Sequence, residues 1–480
     1  MQPQKRTTTS RRDFLRYTAG AGAGYWVAGG LAAKVSASPN EQLQIACFGV
    51  NGKGRSDVSN ASRFGKIYTL CDVDRSFLEL SARANKVAKE NTFTDFRELF
   101  DKMGDKFDVV TVSTPDHCHA VILARALKAK KHCYGQKPLT HNIYEARKIQ
   151  ELAKAAGPDV ITQMGNQYAA YEPMRKAAYQ IRDGQIGRVT AVHVWTNRPV
   201  WPQGIPTPTQ KMPVPAGVDW DLWLGTAAYR DYHEAYMPFR WRGWWDFGTG
   251  ALGDMGCHIM DVPFRALKLQ YPESVECSAG SVYSDFFKEA HYLDSCPPSS
   301  AIYLRFPARG NMPPVDFSWT DGGILPKRPE ELLPDEPFGD TDGGMLLIGS
   351  KGKLVAGMWG RNPTLLPSSR MKETTLPPAA VPFVEGGVYG HQQQWVKACK
   401  KGYGSYTSSP FEIAGPLAET VIMGNLAVRS YQYQQRTADG KGFTNPGRKK
   451  LLWNGEEMKI TNFDVANQFV KREYRQGWHL

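Results

Sequence analysis

From residue 43 onward, short apolar runs alternate with longer segments of helical spacing. Runs at 43–49, 67–71, 107–113, 131–134 and 160–164 have the length and apolar content of strands buried on both faces. Between them, 53–64, 119–130 and 142–156 carry helix-compatible patterns. Alternation of this kind predicts a parallel, doubly wound α/β sheet over residues 40–165. Ligands of such sheets sit outside the carboxyl ends of the strands. From residue 166 to 480 the rhythm changes. Strands are expected at Val189–Thr196, Ala301–Phe306 and Val315–Trp319, with a hairpin over 345–358 around Gly349-Ser350-Lys351-Gly352. A Pro-rich loop runs from Pro199 to Pro215, and no internal repeat is present.

The first strand runs straight into Gly49-Val50-Asn51-Gly52-Lys53-Gly54, and the second ends at Asp72. Strand, glycine turn, helix and an acid closing the next strand form a dinucleotide-binding pattern. The glycines admit the backbone to a pyrophosphate, and the helix N-terminus supplies partial positive charge. Asp72 can accept hydrogen bonds from the adenine-ribose hydroxyls and repels a 2′-phosphate, which favours NAD over NADP. Asn51 stands where the pattern has its second glycine, with Gly52 beside it. Thr114 and Lys137 fall at two further strand ends.

Composition narrows the class. Aromatics are 11% and hydrophobic residues 41% of the 480 residues, so extended disorder is not expected. No stretch is apolar enough to span a membrane. The formal charge of +12 suggests nucleic acid until its placement is considered. Residues 1–37 hold six Lys/Arg against Asp13 alone, and the remaining excess is scattered rather than interleaved with aromatics. Ser10-Arg11-Arg12-Asp13-Phe14-Leu15, a Gly/Ala-rich stretch and the small-x-small Val35-Ser36-Ala37 resemble a twin-arginine export signal over residues 1–37. Export to the periplasm is the expected localisation, without a stable membrane anchor. The eight cysteines form no CxxC pair, and buried free thiols are expected.

Several motifs together carry a family resemblance. The glycine turn, Thr114-Pro115-Asp116-His117-Cys118-His119, the Lys137-Pro138 after a strand, and Gly253-Asp254-Met255-Gly256-Cys257-His258 resemble the Gfo/Idh/MocA oxidoreductases. Gly390-His391, a helical 414–430 and residues 462–478 resemble its exported bacterial branch. The resemblance implies a Rossmann domain followed by an α/β domain with a large, mostly antiparallel open sheet. It also implies a nicotinamide cofactor, a sugar, inositol or polyol substrate, and a homo-oligomer. The loop bearing Thr114, Pro115 and His117 would lie against the nicotinamide half of the cofactor. The family's usual Glu-Lys-Pro is Gln136-Lys137-Pro138 here, which removes a negative charge and keeps the hydrogen-bonding reach.

Oxidising an alcohol removes a hydride from carbon and a proton from oxygen, so a base must sit beside the nicotinamide. Lys137, placed rigidly before a proline, can polarise the substrate oxygen. Asp254 and His258 are four apart and share one helix face. His258, expected to titrate near neutrality, is a proton acceptor, and Asp254 orients it or binds a hydroxyl. The same pair as metal ligands lacks a third partner, so no metal is expected. Asn166-Gln167 follow the last Rossmann strand and border the same cleft. Trp195, Arg198 and Trp201 precede the Pro-rich loop, while Arg240, Trp241, Trp244 and Trp245 precede the catalytic helix. Of these, Asn166, Arg198, Trp201 and Trp245 are the substrate candidates, with aromatic packing as the equal alternative for the tryptophans. The leading reading is an exported NAD-dependent oxidoreductase of sugars or polyols. A redox-neutral glycosidase or lyase of the same fold is the alternative. A non-catalytic sugar- or nucleotide-binding protein is a third class, opposed by Lys137, Asp254 and His258 together.

Overall fold

The computed structural model describes residues 42–378 and 382–480; residues 1–37, where an export signal is expected, lie outside them. Six strands form a parallel sheet: β1 Gln44–Phe48, β2 Lys66–Cys71, β3 Thr92–Phe93, β4 Val109–Val112, β5 His132–Gly135 and β6 Thr162–Met164. Their order is β3-β2-β1-β4-β5-β6, with the crossover reversing between β1 and β4. Helices α1 Lys53–Ala61, α2 Arg75–Asn85, α3 Phe96–Met103, α4 Asp116–Lys128 and α5 Ile143–Ala156 connect them. Residues of β1 and β4 are almost fully buried, as continuous apolar runs between helical layers require.

Two boundaries differ instructively from the sequence pattern. Helix α4 begins at Asp116 rather than 119, because Pro115 stands at its N-cap and Asp116 opens its first turn. His117 and His119 are thereby helical and buried. Helix α5 starts behind Asn142, which forms a capping box with Glu145. Edge strand β3 has two residues and leaves no periodic trace.

The second sheet has nine strands: β7 Val189–Thr196, β8 Ser274–Ala279, β11 Ser300–Phe306, β12 Val315–Thr320, β13 Gly343–Gly349, β14 Gly352–Gly357, β15 Thr364–Leu366, β18 Leu451–Asn454 and β19 Lys459–Ile460. Two small hairpins lie outside this sheet, β9 Val282–Asp285 with β10 Lys288–Ala290, and β16 Gln435–Arg436 with β17 Phe443–Thr444. The order is β15-β14-β13-β7-β12-β11-β8-β18-β19, and β7–β12 is its parallel pair among antiparallel neighbours. Helices α6 Glu172–Arg182, α7 Trp220–Leu224, α8 Gly250–Ile259, α9 Asp261–Ala266, α10 Gly387–Lys401 and α11 Phe411–Gln432 complete this half.

Helix α8 is held between the two sheets. Thr249 Oγ1, at its N-cap, donates to Asp116 Oδ2 at 2.6 Å, and Asn425 Nδ2 of α11 donates to the Thr249 carbonyl at 2.8 Å. One face of α8 packs on α11, where a Cβ at Gly256 would press on Val421. The other face is turned to the strand ends of the parallel sheet. All eight cysteines are free and seven are buried. Among the described residues no helix is long and apolar enough to cross a membrane.

Candidate active site

The carboxyl ends of β1, β2, β4 and β5 open into a cleft of about 780 Å³, within the rough 300–1,000 Å³ range of small-molecule sites. Its floor is the turn after β1. Gly49 has φ +77°, and a Cβ there would stand 2.7 Å from the Ser113 carbonyl carbon, so conformation and space both demand glycine. A Cβ at Gly54 would overlap the Gly49 carbonyl oxygen. Gly52 caps α1 without a side-chain hydrogen bond, and the first turn of α1 carries no acid. The Gly54 amide turns back to the Asn51 carbonyl at 2.9 Å, and no side chain caps the rest of this helix start, whose partial positive charge suits a pyrophosphate. Asn51 and Lys53 line the cleft beside them.

Asp72 faces the cleft at the end of β2. Its carboxylate accepts the amides of Val50 at 2.8 Å and Asp74 at 3.0 Å. Burial nevertheless raises its pKa to about 6. Asp74 is engaged in capping α2 through the amides of Ser76 and Phe77, which leaves Asp72 as the acid for ribose hydroxyls. Thr114 and Pro115 line the cleft from the end of β4, and Thr114 Oγ1 is buried without a partner.

Gln136 borders the cleft, and its Nε2 donates to Asp57 Oδ2 at 2.7 Å. Asp57, buried on α1, also accepts from Lys53 Nζ at 2.6 Å and Ser113 Oγ at 2.8 Å. The carboxylate missing from position 136 thus stands across the turn, on α1.

Lys137 reaches from the end of β5 to α8. Its Nζ donates to Asp254 Oδ1 at 2.7 Å and to the Asp254 carbonyl at 2.6 Å. Arg242 Nε lies 3.6 Å from the same Oδ1. Burial alone would raise the Asp254 carboxyl, but Lys137 and Arg242 outweigh it and hold the group below its ordinary range. His258 sits one turn further along α8 and lines the cleft. Burial, then the Lys137 charge, drive its pKa down to about 3 against the pull of Asp254. The expectation of near-neutral titration is corrected on that ground: the ring is neutral across the physiological range. Its Nδ1 is buried and unpartnered, and Tyr168 packs against the ring edge-on at 5.5 Å.

Other candidates lie elsewhere. His117 is fully buried among Trp223 and Phe247, with ring nitrogens 3.2 and 3.0 Å from the carbonyls of Phe247 and Trp223, and does not line the cleft. Asn166 is buried behind α8, its Nδ2 3.4 Å from the Cys257 carbonyl and its Oδ1 unpartnered, while Gln167 reaches the cleft. Arg198 is held outside it by Asn197 at 2.6 Å and Asp342 at 3.6 Å. Trp201 bonds Gln203 and packs behind Phe239. Trp245 lines a separate small cavity with Arg429. The aromatic wall is instead Trp223, Phe239 and Trp241, with Arg242 stacked on the latter two at 4.2 Å each. Arg242 and Trp223 left no signal in the sequence beyond residue type, and Trp478 only its place at the end of the 462–478 segment of the resemblance. Among the described residues no group of three or more His, Cys, Asp or Glu is arranged to hold a metal ion.

A parallel Rossmann sheet with an uncapped glycine turn, joined to a mixed sheet through a lysine–aspartate pair, defines a two-domain dinucleotide-binding protein. Residues 43–164 match the Gfo/Idh/MocA oxidoreductase family's NAD-binding Rossmann fold, and 188–286 match its C-terminal alpha/beta domain. Both stretches thus match domains of one oxidoreductase family, the first of them its NAD-binding domain.

The levoglucosan dehydrogenase of Pseudarthrobacter phenanthrenivorans is 26% identical over 38% of this chain and 39% of its own. A glycosyl hydrolase family 109 protein of Solibacter usitatus is 31% identical over 38% of this chain and 44% of its own. The chain thus spans less than half the length of either relative. Among solved structures, the WlbA dehydrogenase of Bordetella pertussis, in complex with NADH and UDP-GlcNAcA, aligns with a TM-score of 0.53. It is 14% identical, over 80% of this chain and 95% of that one, a likeness of fold.

Proposed function

We propose that the protein is an NAD-dependent oxidoreductase acting on a CH–OH group of a sugar or polyol. The observation that carries this reading is the meeting of Lys137, Asp254 and His258 in the cleft that also holds the glycine turn and Asp72. A nicotinamide held there would supply the hydride acceptor for the ring carbinol carbon. Lys137, fixed by two hydrogen bonds to Asp254, polarises the substrate oxygen. Neutral His258, which lines the cleft beside this pair, shares with Lys137 the handling of the hydroxyl proton. Asp254 keeps the ammonium in place and balances its charge.

The twin-arginine pattern in residues 1–37 supports export of the folded, loaded protein. Outside the cytoplasm NAD has no ready supply, so the cofactor is held tightly and regenerated on the protein. Likeness to a glycosyl hydrolase family 109 protein favours a second reading. In it, oxidation to a ketone would acidify the neighbouring C–H, and the proton and the glycosidic group would leave adjacent carbons to form a double bond. Water would add across that bond in the glycosidase case, and the hydride would return to the carbonyl carbon. Assay of desalted protein on sugars and glycosides without added cofactor separates these. Turnover without NAD supports the held cofactor, and a glycoside product of unchanged oxidation state selects the second reading. Activity that needs millimolar NAD and releases stoichiometric NADH removes the self-recycling scheme.

A homo-oligomer is part of the same proposal, because the outer face of the nine-stranded sheet exposes Tyr303 and Leu452. Light scattering should give a multiple of the 53.6 kDa chain. A monomer mass at micromolar concentration counts against it.

A further inference from the structure

We propose that Trp478 is part of the cofactor site and closes it at the adenine end. The inference rests on the NAD-binding reading of the cleft. In a doubly wound sheet the acid at the end of β2 marks the adenosine ribose, so the base lies beyond it, toward β3. Phe77 of α2, Thr94 and Phe96 behind β3, and Trp478 line the cleft there. Trp478 is the one of these that comes from far along the chain. Its indole is 5.9 Å from the Phe96 ring, and the Arg97 guanidinium stacks over it at 4.6 Å.

The indole is held in place from several sides. Arg97 is fixed by Asp95 through bonds of 2.7–3.0 Å and donates to the Gly477 carbonyl at 3.3 Å. Arg475 pairs with Asp221 and donates to the Gly225 carbonyl at 3.3 Å. Tyr474 donates to Glu145 at 2.6 Å, and Lys128 to the Leu480 carbonyl at 2.8 Å. At Gly225 a Cβ would come within 3.7 Å of the indole's far edge. Residues 474–480 are thus tied to α3, α4, α5 and α7 around one aromatic ring that borders the cleft. A purine has a flat apolar face, and an oriented indole beside Phe77 and Phe96 is the chemistry that takes it. A cofactor seated there cannot leave past Trp478 without disturbing this segment, which gives a retained dinucleotide a structural basis.

The test uses the whole chain stripped of dinucleotide, titrated calorimetrically with NAD and with nicotinamide mononucleotide, which lacks the adenosine. Trp478→Ala should weaken NAD binding roughly ten- to hundredfold, the worth of one base–aromatic contact, and speed NAD release. Its affinity for the mononucleotide should match that of the wild type, and Trp478→Phe should recover most NAD affinity. Equal NAD affinity in wild type and Trp478→Ala overturns the assignment. Equal loss of NAD and mononucleotide overturns it too, because the defect would then be a general one of the cleft. A wild-type chain that binds neither removes the cofactor reading, and this inference with it.

Discussion

The cofactor side of the cleft and its reacting side are built by different means. On the cofactor side the groups offered to a ligand are mostly main chain, from the turn between Gly49 and Gly54 and the uncapped start of α1, with Asp72 as the principal side chain. All of it falls within one strand–helix–strand unit. On the reacting side the groups are side chains, and the central pair, Lys137 with Asp254, joins positions 117 residues apart. A backbone cradle tolerates exchange of most side chains and tolerates no Cβ at its closest approach. A side-chain constellation is the reverse, indifferent to local pattern and dependent on two domains meeting in register.

The sharpest way to break that contrast is on the reacting side. His258→Asn leaves the Lys137–Asp254 pair intact and should lower turnover by roughly 10²–10⁴, with NAD affinity and melting temperature little changed. Near-wild-type turnover on the true substrate would show His258 to be structural. Lys137→Ala should lower turnover comparably but also destabilise the protein by about 1–3 kcal/mol, since it takes a charge-assisted hydrogen bond from the part-buried Asp254 carboxylate and leaves it Arg242 at 3.6 Å. Urea unfolding separates the two losses. On the cofactor side, Gly54→Ala should damage NAD binding and stability together, by roughly 1–3 kcal/mol in stability, because its Cβ overlaps main chain that cannot move away.

A smaller effect is expected from pH. Asp72, with a pKa of about 6, offers ribose hydroxyls a charged acceptor only when ionised. NAD affinity should therefore fall about tenfold per pH unit below 6. The stability of the free protein should move the other way. Its folded-state pKa lies above the ordinary 3.8, so the folded chain binds this proton more tightly than the unfolded chain. That contribution is complete below pH 3.8 and is lost as pH rises through 6. Asp72→Asn should flatten both dependences. His258, neutral above pH 3, should add no inflection between pH 5 and 8.

The same contrast explains what could be read from the chain. The glycine turn, the strand ends and Asp72 were legible because each is fixed by neighbours within a few residues and by a period-of-secondary-structure pattern. Lys137, Asp254 and His258 were legible through resemblance to a family, since nothing in their spacing says that β5 faces α8. Arg198, Trp201 and Trp245 were chosen by residue type, and type does not tell a wall of the cleft from the packing behind it. The segment 220–247 shows why: Trp220, Trp223, Tyr236, Trp244 and Phe247 make a small aromatic core, and Trp223 alone of these five also reaches the cleft. Nor could the sequence show that His258 is neutral, because that follows from burial and from an ammonium supplied by another domain.

Residues 57 and 136 share one consequence of the carboxylate that α1 supplies. With Gln136 Nε2 at 2.7 Å from Asp57, an acid restored at 136 would set two carboxyl groups side by side. Two such groups cannot both ionise at that separation, so one would keep its proton at neutral pH. Neither position can then change alone without loss: Asp57→Asn removes the anchor of Lys53 and Ser113, and Gln136→Glu sets a second carboxyl against Asp57. Made together, the two substitutions exchange the amide and the carboxylate and should restore much of what each takes away. The pair is a mutational ratchet, in which the identity of one residue decides which residues the other can become.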